Sequence, residues 1–516
     1  MKQLQTVSVV SPGFFGLNTQ DSSVTLSDNF ATTADNCIID KYGRLGARKG
    51  WTMLTTSGSS ELNGASPSFM LEHINADDSE VVLSGGNAKL FSGGDAGALT
   101  DITPASYTIT ADNWKGATVY DHALICQEGH EPVVYTESAS PVAQKLSTYT
   151  GGAASFGTSY PRDVIAAYGR FWVHDGSTIY WSTDIADTTF PAFSGGTSGT
   201  LNINAVLPNN SDTIVALASH NGFLIIFCRN NVVIYKGADN PLGDFMLNDV
   251  ITGVGCVARD SVAYTGSDVI FLSDNGIRSL GRIIQEKSLP MRDLTKNIRD
   301  DFIQIIRTEQ AIRENMSGVR SVYSEQNAFY LISFVSSNLV FCLDMRQPLE
   351  DGSARITRWV DYPIGSFLRR RNRDLLLGKA NGIGKYGLYQ DNGSSYLLRY
   401  YSNYLDMQQP TVTKMVKNIK ATVIGGNGQE FKITSGYDYQ GAQFAYPFVI
   451  NTGNIAEFGI AEYGVDEFTV GVLVDSINTP ANGSGKVVQI GFETPINTQE
   501  FSVQRLDIFV KTGRVS

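Results

Sequence analysis

The stretch DVIAAYGRFWVHDGSTIYWST, residues 163–183, holds the pattern that decides the fold. An apolar strand runs into a turn at Gly169-Arg170. A stronger apolar strand follows, then a turn at Asp175-Gly176, then a third strand. Tight two-residue hairpins need positive φ at the turn, and Gly, Asn and Asp supply it at least steric cost. The same grammar recurs at 213–237, with turns at Asn221-Gly222 and Asn230-Asn231, and at 260–280, with turns at Gly266-Ser267 and Asn275-Gly276. Weaker copies occupy 68–94, 116–136, 318–344 and 365–390.

Aligned on the middle of the second strand, the copies fall at Leu83, Leu124, Trp172, Ile225, Phe271, Leu331 and Leu376. Successive anchors lie 41 to 60 residues apart, with a mean of about 49, the period of four-stranded propeller blades. The second strands, such as FLIIF at 223–227 and FYLISF at 329–334, are continuous apolar runs. Strands covered on both faces read this way. One meander cannot bury both of its faces, whereas blades stacked around a ring can. The expectation is an all-β chain with a six- or seven-bladed β-propeller over 56–395.

The longest interval contains a helical stretch, 289–315, in which Leu294, Ile298, Phe302, Ile305 and Ile306 recur at three- and four-residue steps. Pro290 stands where a first-turn proline is tolerated. The opposite face mixes five basic with five acidic residues, which predicts a helical insertion packed on the outside of the ring or touching a neighbouring subunit. Residues 1–55 read as an extended arm and a hairpin. From 396 to 516 the blade repeat stops and strands of mixed alternation follow, predicting a separate C-terminal β-sandwich-like domain.

Composition narrows the function. Charged residues are 18% and Gly is 51 of 516, against usual values of roughly 25% and 7%. That excludes a coiled coil, a helical array or a long disordered tail. The net charge is -11, which argues against a general phosphate-gripping surface. Residues 1–160 hold 16 acids against 8 bases. No apolar run approaches the roughly 18 residues of a membrane helix, and the opening MKQLQTVSVVSPGFFG does not read as a secretory signal. Cys37, Cys126, Cys228, Cys256 and Cys342 are widely spaced, so the expectation is buried thiols without a disulfide framework or zinc.

No motif of nucleophilic, nucleotide-binding or zinc-dependent catalysis occurs, so no catalytic, cofactor-binding or metal residue is expected and the chain reads as a non-enzyme. His122 and His130, eight residues apart, read as turn residues. His174-Asp175-Gly176-Ser177-Thr178 followed by Trp181 partly matches the aspartate box of sialidase-type propellers, and turn chemistry accounts for it equally. A glycan-binding or glycan-cleaving propeller is therefore the alternative. Arg369, Arg370, Arg371 and Arg373 form the densest cationic run. They read either as a solvated turn or as a contact for an acidic partner or a phosphate.

The segment 11–51 contains Gly16-Leu17-Asn18, Asp35-Asn36 and Gly43-Arg44-Leu45-Gly46-Ala47-Arg48-Lys49-Gly50-Trp51. Further on come Phe223-Leu224-Ile225-Ile226-Phe227, Gly253 to Val262 and Val269 to Ile277. Together these resemble tail nozzle proteins of short-tailed bacteriophages, also called tail tubular protein B or tail stabilisation proteins. The resemblance implies a propeller with added β domains, assembled as a six-fold homo-oligomeric ring below the portal adaptor. It implies contacts with tail fibres or spikes and with plug or needle proteins. Genomic DNA would pass through the lumen without specific binding, and the chain itself would not insert into a membrane. Its place would be the virion tail, and the host cytoplasm during assembly. This chain is shorter than the largest nozzles, which leaves direct fibre attachment in doubt.

Overall fold

A computed structural model describes residues 5–22, 26–56, 60–151, 156, 159–207, 212–285, 293–313, 316–451 and 474–515. Within them the chain is built almost wholly of antiparallel strands. Blade 1 comprises Phe69–Ile74, Glu80–Gly86, Lys89–Gly93 and Leu99–Asp101; blade 2 comprises Trp114–Val119, His122–Gln127, His130–Tyr135 and Ala143–Lys145. Blade 3 runs through Asp163–Ala167, Arg170–His174, Thr178–Trp181 and Gly199–Asn202. Blade 4 runs through Ile214–His220, Phe223–Cys228, Asn231–Lys236 and Met246–Thr252. Blade 5 has three strands, Ala263–Tyr264, Val269–Ser273 and Gly276–Ser279. Blade 6 is Val319–Ser324, Phe329–Phe334, Leu339–Asp344 and Arg355–Val360; blade 7 is Phe367–Arg369, Leu375–Lys379 and Gly382–Tyr386, completed by Trp51–Met53.

The first strand of each blade lies against that of the next, and blade 7 returns to blade 1, so seven sheets close the propeller. All seven sequence anchors fall inside second strands. Those strands are the most buried of their blades, equalled only in blade 5 by Gly276–Ser279: all six residues of Phe329–Phe334 and all five of Arg170–His174 are buried. Clusters between adjacent blades, such as Trp172, Ile179 and Trp181 against Leu217, Leu224 and Ile226, hold the stack together. Four turn assignments shift by one residue. The first turn of blade 3 is Tyr168-Gly169, both with positive φ, and its second turn is Gly176-Ser177. The second turn of blade 4 is Arg229-Asn230 and the second turn of blade 5 is Asp274-Asn275. At Asn221-Gly222 both residues have positive φ, as the sequence predicts.

The helix spans Arg299–Ile312, continuing a short 3-10 turn at Lys296–Ile298. This is narrower than the 289–315 expected, of which 289–292 and 314–315, Pro290 included, lie outside the described residues. Phe302 packs edge-on against Phe334 and Phe341, so the apolar stripe seats the helix on blade 6. Glu309 is fully buried at the foot of this contact, where it accepts hydrogen bonds from the Ser336 backbone N–H and hydroxyl.

The described residues from 396 onward form two sheets packed face to face. One is led by Val412–Gly425 and Phe501–Val515. The other carries Tyr396–Ser402, Glu430–Tyr437 and Val488–Ile496. Val416, Ile419, Ile508 and Val510 of the first meet Tyr400, Phe431, Ile433 and Phe492 of the second in one core. This sandwich is not detached from the ring. Blade 6 continues through Gly16–Leu17 and Phe30–Asp35 into the second sheet, making ten strands in all. The N-terminal segment is accordingly woven in: Gln5–Val10 pairs with Phe501–Val515, the hairpin Cys37–Ile39/Leu45–Ala47 extends the first sheet, and Trp51–Met53 closes blade 7. Glycine is required at two of these crossings. A Cβ on Gly16, which has φ +82, would meet the Ile356 carbonyl oxygen at 2.2 Å, and one on Gly50 would meet that of Gln390 at 1.9 Å.

Candidate functional site at the propeller axis

First strands line a propeller's axis, and here their charged residues converge. A 3-10 turn at Arg259–Ser261, just before blade 5, places Asp260 among three cations. Asp260 pairs with Arg259 at 2.8 Å, with Lys115 of blade 2 at 3.0 Å and with Arg320 of blade 6 at 3.1 Å. Burial alone would raise the Asp260 pKa, but Arg259, Lys115 and Arg320 outweigh it and hold the carboxyl far below the usual carboxylate range. Arg259 also donates to the carbonyl oxygens of Arg162 (2.6 Å) and Trp114 (3.0 Å) and to Asn113 Oδ1 (2.9 Å). Arg320 donates to the Ser68 carbonyl oxygen at 3.0 Å.

These bonds join blades 5 and 6 to blades 1, 2 and 3 on the far side of a seven-bladed ring, so the side chains bridge the axis. Two cavities flank the bridge and share Asp260: one of about 240 Å³ among blades 2 to 5 and one of about 120 Å³ reaching blades 1, 6 and 7. Burying so many charges is tolerable only because each is paired and hydrogen-bonded.

His174 lies beside the larger cavity, fully buried. Its Nδ1 accepts the Gly176 N–H at 3.1 Å, so in the neutral ring the proton sits on Nε2. That atom has no hydrogen-bond partner; Asp163 Oδ2 is 4.0 Å away. Burial, opposed by Asp163 and reinforced by Arg162 and Arg259, lowers the His174 pKa to about 4. The turn that resembles an aspartate box is accounted for locally. Asp175 accepts from the N–H groups of Ser177 and Thr178 and from the Tyr180 hydroxyl.

The arginine run does not behave as one patch. Arg370 is the centre of an ion cluster, with Nε 2.8 Å from Glu72, Nη1 2.9 Å from Asp95 and Nη2 2.9 Å from Glu80. Its side chain is only 13% exposed, so it fastens blade 7 to blade 1 and is not presented to a partner. Arg369 pairs with Glu325 at the first turn of blade 6. Arg371 uses its backbone N–H on Glu72 while its side chain is exposed, and Arg373 is exposed at φ +70. Only Arg371 and Arg373 of the four therefore project freely from the turn.

Sequence reasoning did not reach a second buried cation. Arg48 is fully buried between the rings of Tyr362 (4.1 Å) and Tyr396 (3.9 Å), bidentate to Asp391 at 2.8 and 2.7 Å, and donates to Asn36 Oδ1 at 3.0 Å. Beside it, Lys379 Nζ sits 3.6 Å from the Tyr362 ring centroid and donates to the Pro363 carbonyl oxygen. Neighbouring Gly, Asn and Trp residues in 11–51 were the available signal, since a local motif this specific serves a long-range contact.

The remaining expected residues are placed simply. The five cysteines are free and buried. His122 Nε2 lies 2.6 Å from the Tyr149 hydroxyl and His130 Nε2 lies 2.7 Å from the Thr110 hydroxyl, so the two histidines serve separate contacts. Among the described residues no group of His, Cys, Asp and Glu is arranged to hold a metal ion, and no helix is long and apolar enough to cross a membrane.

No known protein family matches this sequence, and no curated protein matches it. Among solved structures, the chain is similar to the extracellular domain of the putative one-component system BT4673 from B. thetaiotaomicron (11% identity, 82% of this chain, 44% of that one, TM-score 0.34). It is also similar to PorZ, a surface component of the type-IX secretion system of Porphyromonas gingivalis (11%, 68%, 42%, 0.35). A third is the Pan2 WD40 domain of Neurospora crassa (10%, 66%, 96%, 0.35). The chain spans less than half the length of the first two.

Proposed function

We propose that this chain is a structural component of a short-tailed phage tail, a nozzle subunit that assembles into a ring below the adaptor and extends the DNA conduit. The observation that carries the reading is where the resembling residues lie. Gly16, Asn36, Arg48, Gly50 and Trp51 form the seam that welds sandwich to propeller. The N-terminal stretch of the resemblance thus builds the joint that a propeller with added β domains requires, while its other stretches lie in and around blades 4 and 5. The bridged axis adds a constraint. DNA does not thread the blades of one subunit, so the lumen lies between subunits, and sandwich and blade edges are the surfaces left to line it. An acidic chain suits that wall, because phosphates are repelled and slide. The test is sedimentation of the purified chain with its tail adaptor. Co-migration as one large complex supports the proposal, and failure to co-migrate at any salt concentration refutes it.

A further inference from the structure

The cavity of about 240 Å³ beside the axis has a donor set that the ion network does not consume. Glu128, Asp260, Arg162, Arg229 and Arg259 all line it. Asp260 is neutralised by Arg259, Lys115 and Arg320 together, and Arg229 is bidentate to Asp274. Arg162 is held by its main chain, whose N–H donates to the His174 carbonyl oxygen while its own carbonyl oxygen accepts from Arg259. Its ion pair with Glu128, at 3.3 Å, engages one Nη and leaves further guanidinium N–H groups for a ligand. Asn113 has its side-chain oxygen committed to Arg259, so its amide nitrogen is what remains to offer. The fully buried His174 adds an unpartnered Nε2–H. An orphaned donor at such depth costs stability unless something accepts from it.

We propose that this cavity binds a small oxyanion, a phosphate or a carboxylate, held by Arg162, the Nε2–H of His174 and the Asn113 amide. The bound group accepts a charge-assisted hydrogen bond from Arg162 and satisfies His174, and Thr213 and Ser317 at the lining can add hydroxyl donors. Because blades 2, 3, 4 and 5 all contribute to the wall, the occupant ties them together. Binding therefore stabilises the folded ring by mass action.

The experiment titrates the full chain with inorganic phosphate and, separately, with acetate at constant ionic strength. It follows the melting temperature and the 15N resonance of the His174 ring. A saturable rise in melting temperature with a shift of the Nε2 resonance is expected below about 10 mM, the weak end of specific binding. Response to phosphate alone assigns a phosphate, and response to acetate assigns a carboxylate. Arg162→Gln, at a side chain 37% exposed, should weaken binding about tenfold or more while leaving the protein folded. No saturable response to either anion overturns the proposal. So does unchanged affinity in R162Q or an unmoved His174 resonance, either of which leaves the cavity holding water.

Discussion

Replacing Arg370 with alanine should unfasten blade 7 from blade 1. Its guanidinium reaches Glu72, Glu80 and Asp95, whose side chains are 10%, 33% and 19% exposed. The two more exposed pairs contribute about 0–1 kcal/mol each. The Glu72 contact differs, because removing one partner of a buried pair strands the other, at about 3–5 kcal/mol. Part of that is relieved by water entering the gap, so R370A should cost about 3 kcal/mol. Urea unfolding followed by tryptophan fluorescence and by far-ultraviolet circular dichroism measures it. A double-mutant cycle with Glu72→Gln isolates the pair, and a coupling above about 1 kcal/mol is expected. In contrast, Arg371→Ser with Arg373→Ser should change stability by no more than about 0.5 kcal/mol. A loss below about 1 kcal/mol for R370A, or additivity with Glu72→Gln, would refute the staple. A quadruple substitution of the run therefore cannot test partner binding. Only the pair Arg371 and Arg373 can.

Further outcomes follow from the seam between ring and sandwich. Arg48→Lys should cost about 3 kcal/mol or more despite keeping the charge, since an ammonium cannot both fork onto Asp391 and stack between Tyr362 and Tyr396; stability equal to wild type in urea would contradict this. Burial, opposed by Asp391 and reinforced by Arg48, pushes the Lys379 pKa down to about 7. The folded value lies below the unfolded one, so the cost of burying Lys379 is full below pH 7 and fades as pH rises toward about 10.5. Lys379→Met should thus be more stabilising, relative to wild type, at pH 6 than at pH 9, and a difference independent of pH would contradict the assignment.

The propeller was legible because its evidence is local. Each second strand is an apolar run next to a turn residue, and seven such runs at a regular spacing require blades. Blade number was open between six and seven because blade 5 has only three short strands and blade 7 borrows Trp51–Met53 from the far end of the chain. The roles of the arginines were not legible. Nothing near Arg370 in sequence announces that Glu72, Glu80 and Asp95, some 275 to 298 residues away, surround it. A run of like charges normally means solvent, and here one member is buried because its partners are supplied by the ring closing. The axial cluster hid for the same reason: Lys115, Asp260 and Arg320 are ordinary surface types until three blades bring them together. The continuity of blade 6 with the sandwich also depends on parallel pairing of Gly16–Leu17, a two-residue strand with no periodicity to read.

Electron microscopy of the chain mixed with its tail adaptor tests the nozzle assignment most directly. The account predicts six-fold rings or tubes whose open lumen lies between subunits, with each subunit's own seven-bladed disc closed at its axis. Discrete single-copy particles at every concentration, with the adaptor left unbound, would contradict it.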